Sequence, residues 1–174
     1  LFVDFIEKVP SFGKSFICID DKNNNEIIKK IKIKNYCTYG MNKNSQFQIR
    51  NINQSRDFSE FNLDIRLPGK KQTCIKNIKI PLLGLHNVRN ATAAAAVAIT
   101  IGISKDIIKQ GLKEFKGVQR RFTKIFKYRE TEYYDDYAHH PTEIKEVLNG
   151  VKKVYRKEEI ICIFQPHRIS RLKD

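Results

Sequence analysis

The chain has 174 residues and a formal net charge of +14, with 41% hydrophobic and 30% charged residues. This composition is typical of a globular chain that is long enough to bury a core, and it excludes an intrinsically disordered protein. The longest apolar run, 91–103, is shorter than the roughly 20 residues that a membrane span needs. Charged residues within 1–10 argue against a signal peptide. We therefore expect a cytoplasmic protein without a membrane span.

The strong positive charge raises the alternative of a basic nucleic-acid-binding module. The charge is spread almost evenly, however, with a net +9 over residues 1–115 and +5 over residues 116–174. No region concentrates it, so we expect no nucleic-acid partner. Salt-sensitive binding to arbitrary DNA would favour the alternative.

The cysteines and the chain start give two further expectations. Cys18, Cys37, Cys74 and Cys162 form no CxxC pair, so we expect reduced thiols rather than a disulfide framework. The chain starts without a methionine and inside a predicted helix, and we therefore expect a fragment of a longer protein.

Hydrophobic periodicity predicts an α/β protein. The first predicted elements are a helix over 2–9, a strand over 15–19, a helix over 26–33, a strand over 35–39 and a β-meander over 46–52, 58–67 and 72–80. An alanine-rich helix over 87–101 and a helix capped by Ser104 follow, and Gly117 begins a linker. The pattern then predicts a β-α-β unit with strands over 122–128, 132–136 and 159–164 and a helix over 141–155.

The tripeptide Gly13-Lys14-Ser15 invites comparison with a phosphate-binding P-loop. That loop requires a glycine five residues earlier, where this chain has Lys8. It also follows a strand and begins a helix, whereas this tripeptide follows a predicted helix and precedes a strand. We therefore reject a P-loop here.

Two asparagines, Asn87 and Asn90, lie three residues apart near the start of the alanine-rich helix. This spacing places them on one face of a helix. An amide has both a donor and an acceptor, which suits the edge of a purine base. The alternative is that Asn87 only caps the helix.

Two polar loops, 135–141 and 165–171, follow the predicted strands over 132–136 and 159–164. If these strands are parallel neighbours, both loops lie at the ligand-binding edge of the sheet. Arg168 and Arg171 are suited to holding a carboxylate or phosphate. The alternatives are a solvated polar rim and a zinc site made by His139, His140 and His167, which the missing HxH and HxxxH spacings disfavour.

Four segments carry a family resemblance: GLHNVRNA at 84–91, GVQRRF at 117–122, DDYAHHPTEI at 135–144 and QPHRISR at 165–171. In content, order and spacing they resemble the Mur ligases, the ATP-dependent amino-acid ligases of peptidoglycan synthesis. The last two segments are most similar to the member that adds L-alanine to UDP-N-acetylmuramate. The member that ligates murein tripeptide is the alternative.

The resemblance implies a fold and a reaction. Residues 1–117 would be the C-terminal part of a P-loop-type ATPase central domain, and residues 118–174 the N-terminal part of a Rossmann-like C-terminal domain. The substrates would be ATP, UDP-N-acetylmuramate and L-alanine, joined through an acyl phosphate. The family's P-loop and Mg²⁺ ligands lie upstream of the matched segments, so we assign no metal ligand here and expect no turnover by the fragment alone.

The resemblance also implies residue roles. Asn87 and Asn90 would face the adenine, and Arg121 and Asp136 would reach the ribose and phosphates. The residues expected at the alanine pocket are Tyr137, His139, His167, Arg168 and Arg171. Of these, His139, Arg168 and Arg171 are the catalytic candidates, and the two arginines would hold the alanine carboxylate or the charged intermediate.

Overall fold

The structure is a computed structural model that describes residues 1–166. Its helices are α1 (Phe2–Glu7), α2 (Lys22–Lys30), α3 (Leu85–Thr100), α4 (Lys105–Glu114) and α5 (Pro141–Val154). Its strands are β1 (Ser15–Cys18), β2 (Tyr36–Gly40), β3 (Phe47–Gln54), β4 (Ser59–Ile65), β5 (Thr73–Ile80), β6 (Thr123–Tyr128) and β7 (Thr131–Asp135). None of the helices in the described residues is long and apolar enough to cross a membrane.

Residues 2–114 form what we call the sheet unit. Its five strands follow the order β1-β2-β3-β4-β5, with parallel pairing between β1, β2 and β3 and antiparallel pairing from β3 to β5. Phe47, Phe61 and Leu63 are completely buried in its core. The mixed sheet with helices packed against it confirms the predicted α/β class and the predicted meander.

Helix α2 begins four residues before the predicted start at residue 26. The Asp21 side chain caps it by accepting a hydrogen bond from the Asn23 N–H at 2.7 Å. The side chains of Asn24 and Asn25 donate to the carbonyls of Cys18 and Ile19 at the end of β1. Asparagine is a weak helix former, and these tertiary hydrogen bonds outweigh its propensity.

Helix α3 packs a face of small residues against the sheet. Its buried residues are Val88, Ala91, Thr92, Ala95 and Ala96. The Thr92 hydroxyl donates to the Val88 carbonyl at 2.8 Å, so burial leaves it with a hydrogen-bond partner. The next helix, α4, begins after Ser104, whose Oγ accepts from the Ile107 N–H as the sequence predicts.

Residues 123–154 form the hairpin unit, in which β6 and β7 pair antiparallel and α5 follows. The Tyr134 ring stacks on Phe122 at a centroid distance of 4.4 Å, and its hydroxyl lies 2.8 Å from that of Tyr155. Glu132 accepts hydrogen bonds from Lys124 and Tyr134, which lower its carboxyl pKa to about 2. These contacts join the hairpin to the end of α5.

The end of α5 and the residues just after it also contact the sheet unit. Arg56 lies in the turn between β3 and β4, and its guanidinium carbon is 5.0 Å from the centroid of the Tyr155 ring. The same guanidinium forms an ion pair with Glu158. The segment after α5 is therefore attached to the tip of the β3–β4 hairpin.

The strand predicted over 159–164 is not formed. Within residues 1–166 no strand pairs with this segment, and Ile161 and Ile163 are 79% and 93% exposed. An apolar strand of a parallel sheet needs neighbours on both edges and layers on both faces. The described residues supply neither, so this apolar run has no regular secondary structure.

Candidate functional site

A cleft of about 820 Å³ lies between the sheet unit and the hairpin unit. Helix α3 forms one wall, the end of α4 and the following linker form another, and the first turns of α5 close the third side. Its volume is within the range of small-molecule sites. Four residues predicted from separate sequence segments line it, namely Asn87, Asn90, Arg121 and Asp136.

The asparagines lie in the first turns of α3. Gly84 is the N-cap of this helix, so the alternative that Asn87 caps it is wrong. Instead, the Asn87 Nδ2 donates to the Leu83 carbonyl at 2.6 Å, which fixes the orientation of the amide. Asn90 is exposed on the same cleft wall. The two amides therefore border one space, as the spacing predicts.

Arg121 reaches the cleft from the linker. Its neighbours Arg120 and Phe122 have φ angles of +59° and +50°, which are rare for residues with side chains. The Nη1 of Arg121 lies 3.8 Å from the Glu143 Oε1, and its side chain is half exposed. This arrangement leaves the guanidinium accessible to an anion in the cleft.

The backbone at this linker is held by Asp136. One carboxylate oxygen accepts from the Phe122 N–H and the other from the Ala138 N–H, both at 2.7 Å. Two charge-assisted hydrogen bonds stabilise the loop after β7 and the unusual conformation before β6 together. Asp136 therefore connects the linker to the loop while its carboxylate borders the cleft.

The predicted amino-acid pocket is only partly described. His139 Nδ1 lies 3.0 Å from the Tyr137 carbonyl oxygen and 3.8 Å from a Glu143 carboxylate oxygen. The Tyr137 and His139 rings pack edge to face. Neither Tyr137 nor His139 lines the cleft, although both are close to Asp136 in sequence. His167, Arg168 and Arg171 lie outside the described residues, and so does the predicted meeting of the two loops.

Sequence reasoning missed three titratable cleft residues, His86, Glu143 and Glu146. Burial lowers the pKa of His86 although Glu146 and Asp136 oppose this, and its Nδ1 has no hydrogen-bond partner in the described part of the chain. The imidazole is therefore neutral near pH 7. His86 was within the quoted motif, but nothing in the local pattern distinguished a cleft residue from a packed one.

Glu143 closes a capping box at the start of α5. The His140 side chain accepts from the Thr142 N–H, and Glu143 accepts from the backbone of His139 and His140. Burial raises the pKa of the Glu143 carboxyl, whereas these hydrogen bonds and the charge of Arg121 lower it. The lowering effects are together the larger, so the pKa of Glu143 lies below its usual value. Glu143 therefore keeps its charge between Arg121 and the His139 loop.

Metal binding is not indicated in this part of the chain. Across residues 1–166, no three histidine, cysteine, aspartate or glutamate side chains cluster as metal ligands do.

Gly84 allows the cleft wall to form. Its φ of +92° and ψ of 145° belong to a region that is almost restricted to glycine, and an added Cβ would lie 2.5 Å from the His86 ring. We expect Gly84→Ala to lower the free energy of unfolding of the full-length protein by about 2 kcal/mol. Urea unfolding measures this.

Gly102→Ala is the matched control for this substitution. Gly102 also has a positive φ, +91°, but an added Cβ has no atom within 4 Å. The Gly102→Ala variant therefore measures the effect of backbone strain alone, which costs about 1 kcal/mol. Equal losses in the two variants would contradict a role for the close contact with His86.

The site defined by this geometry is a cleft between two α/β units, which the linker joins. The family model of the Mur ligase middle domain matches residues 2–98, more than half of the chain. The model of the Mur ligase glutamate ligase domain matches residues 120–173. The chain therefore belongs to the Mur ligase family.

Two curated relatives, both named UDP-N-acetylmuramate–L-alanine ligase, match nearly the whole chain. The chain is 69% identical over 174 residues to the UDP-N-acetylmuramate–L-alanine ligase of Pelagibacter ubique, covering 100% of this chain and 38% of that protein. It is 42% identical to the enzyme of the same name from Bartonella tribocorum, covering 98% of this chain and 36% of that protein. The chain thus spans little more than a third of these relatives' length.

Solved structures of Mur ligases also match this chain. The UDP-N-acetylmuramate–alanine ligase of Thermotoga maritima aligns with a TM-score of 0.66 and 30% identity, over 83% of this chain and 36% of that one. MurF from Acinetobacter baumannii aligns with a TM-score of 0.71 over 86% of this chain and 31% of that one. At 24% identity, the second match shows the fold alone.

Proposed function

We propose that this chain is the segment of a UDP-N-acetylmuramate–L-alanine ligase that holds the nucleoside side of ATP and begins the L-alanine pocket. The observation that carries the proposal is the single cleft lined by Asn87, Asn90, Arg121 and Asp136. These residues come from three separate sequence segments, and a small-molecule cleft requires this kind of convergence. The 69% identity to a relative of that name supports the choice of enzyme.

We propose a domain boundary between residues 117 and 118. The spans of the two family models, 2–98 and 120–173, lie on either side of it. Gly117 has a φ of +84°, a conformation that permits a sharp change of chain direction. Residues 1–117 would then end the central ATPase domain, and residues 118–174 would begin the C-terminal domain.

The cleft residues suit a nucleotide. The Asn87 and Asn90 amides can donate to and accept from the edge of adenine, while the apolar side chains of Leu82 and Val118 line the same space. The Asp136 carboxylate can accept from ribose hydroxyls, and Arg121 can exchange Glu143 for a phosphate oxygen. These groups bind and orient ATP, with Mg²⁺ as its counterion.

The reaction follows from the substrates. The carboxylate of UDP-N-acetylmuramate attacks the γ-phosphate of ATP, giving an acyl phosphate and ADP. The L-alanine amine, after losing a proton, attacks the acyl carbon, and inorganic phosphate leaves. Positioning and charge neutralisation are the main demands on the protein. We propose Tyr137, His139, His167, Arg168 and Arg171 for the alanine pocket, in the cytoplasm where ATP is available.

An assay on the full-length protein tests this function. With ATP, Mg²⁺ and UDP-N-acetylmuramate present, we expect L-alanine to stimulate phosphate release at least tenfold, because the amine is the second substrate. Mass spectrometry should detect the amide product. Phosphate release without any dependence on L-alanine would contradict the proposal.

A second candidate is a murein peptide ligase. The structure of such an enzyme from Psychrobacter arcticus aligns with a TM-score of 0.63 and 27% identity, over 87% of this chain and 31% of that one. The same assay distinguishes the two, because murein tripeptide would replace L-alanine as the stimulating substrate. Stimulation by tripeptide alone would select this second function.

A further inference from the structure

The two walls of the cleft are joined by charged side chains outside the proposed ligand contacts. Arg89, on α3, directs its Nε to an Asp20 carboxylate oxygen at 3.0 Å and its Nη1 to the Glu146 Oε2 at 3.9 Å. Asp20 follows β1 in the sheet unit, whereas Glu146 lies on α5 in the hairpin unit. One guanidinium therefore connects the two units.

Asp20 fixes the position of Arg89. Its carboxylate accepts from the backbone N–H groups of Met41 and Asn42 at 2.8 and 3.0 Å, and its side chain is only 10% exposed. Gly40 leaves room for it, since an added Cβ would lie 2.5 Å from the Asp20 Oδ1. The Arg89 side chain thus projects toward α5 from a rigid support.

Glu146 occupies a matching position on α5. It lines the cleft one turn after Glu143 and one turn before Gly150. Gly150 approaches the sheet unit closely, because a Cβ added there would lie 3.2 Å from the Gly84 Cα. The Arg89–Glu146 pair therefore acts beside a tight backbone contact, where a small change in side-chain position alters the direction of α5.

We propose that Arg89 and Glu146 are positioning residues that hold α5 against α3 at the spacing at which the cleft accepts a nucleotide. Neither needs to touch the ligand. When the pair is broken, α5 turns about the Gly84–Gly150 contact, and Asp136 and the asparagines no longer face one ligand together. The effect on nucleotide affinity, though not the spacing itself, rests on the proposed function.

The test uses the full-length protein with Glu146→Gln and Glu146→Arg. We expect the Kd for ATP, measured by equilibrium dialysis, to rise about twofold and about fivefold, because partly exposed ion pairs contribute up to about 1 kcal/mol and like charges repel comparably. Glu130→Arg is the matched control, because this residue is 99% exposed in the β6–β7 turn. We expect it to leave the Kd unchanged.

A double-mutant cycle separates positioning from general damage. Since Glu146→Arg acts by repelling Arg89, we expect its additional effect on the Kd to disappear in an Arg89→Gln background. We expect Arg89→Lys, which keeps the charge, to remain within about twofold of the unmodified protein. Additive effects of Arg89→Gln and Glu146→Arg would overturn the proposal.

A distance measurement distinguishes failure of this proposal from failure of the proposed function. Spin labels on ketone-bearing amino acids at the exposed positions Lys113 on α4 and Lys153 on α5 report the spacing between the units by pulsed electron paramagnetic resonance. We expect Glu146→Arg to broaden or shift the distribution even if the protein ligates another amino acid. An unchanged distribution overturns the proposal, whether or not the Kd rises, and so does a changed distribution with an unchanged Kd.

Discussion

Asp136→Ala in the full-length protein is expected to lower kcat/KM for ATP in the proposed ligase reaction about a hundredfold, which corresponds to roughly 2.7 kcal/mol. The substitution removes the acceptor of two backbone hydrogen bonds, from Phe122 and Ala138. Each hydrogen bond to a charged group contributes about 1.5–3 kcal/mol, and the left-handed residues of the linker lose their support. The proposed contact with the ribose is lost as well. Steady-state kinetics with ATP varied at saturating L-alanine measures the effect.

Asp135→Ala is the matched control. Asp135 precedes Asp136 in the chain, but its partner is Arg120, and both side chains are substantially exposed. Exposed ion pairs contribute at most about 1 kcal/mol, so we expect less than a fivefold change. Similar losses in both variants would show that Asp136 has no special place in the cleft. Asp136→Asn should fall between them, because its amide keeps one acceptor and turns a donor toward an N–H.

Phe61→Ala is expected to lower the free energy of unfolding of the sheet unit by about 3–5 kcal/mol. Phe61 lies on β4, between β3 and β5, and is completely buried. Truncation leaves a cavity that the flanking strands cannot close, since both are hydrogen-bonded to β4. Urea unfolding of the full-length protein, followed by a signal from the sheet unit, measures the loss.

Phe12→Ala removes the same atoms from a side chain that is 92% exposed. We expect a change within about 0.5 kcal/mol, as is usual for surface positions. Nearly equal losses in the two variants would mean that the sheet core does not limit the stability of the protein.

Local patterns in the sequence predicted most of the sheet unit. Alternating residues marked β3, β4 and β5, and Ser104 marked the start of α4, because these signals depend on neighbours in the chain. The start of α2 was misjudged, since Asn24 and Asn25 bond to carbonyls at the end of β1 rather than following their own propensity. Such tertiary contacts are invisible to a local pattern.

In the candidate site, too, the sequence identifies some residues and misses those whose partners lie on another element. Motif similarity selected Asn87, Asn90, Arg121 and Asp136, and the structure brings all four to one cleft, whereas their roles remain proposals. Glu146 escaped notice because a glutamate on a helix is usually solvated, and only the position of Arg89 on another helix gives it a partner. The strand predicted over 159–164 failed for a related reason, since a strand depends on its neighbours.

The two attachments at the end of α5 have a mechanical consequence. Gly150 packs against Gly84, and Arg56 contacts Tyr155 and Glu158, so both attachments fix the C-terminal part of α5 and the residues just after it to the sheet unit. The first turn of α5, with Glu143 and the His139 loop, lies about 10 Å from Gly150 along the helix axis, because each helical residue adds about 1.5 Å. A change in the direction of α5 about the Gly84–Gly150 contact therefore displaces this first turn most, beside the groups proposed to meet the substrates.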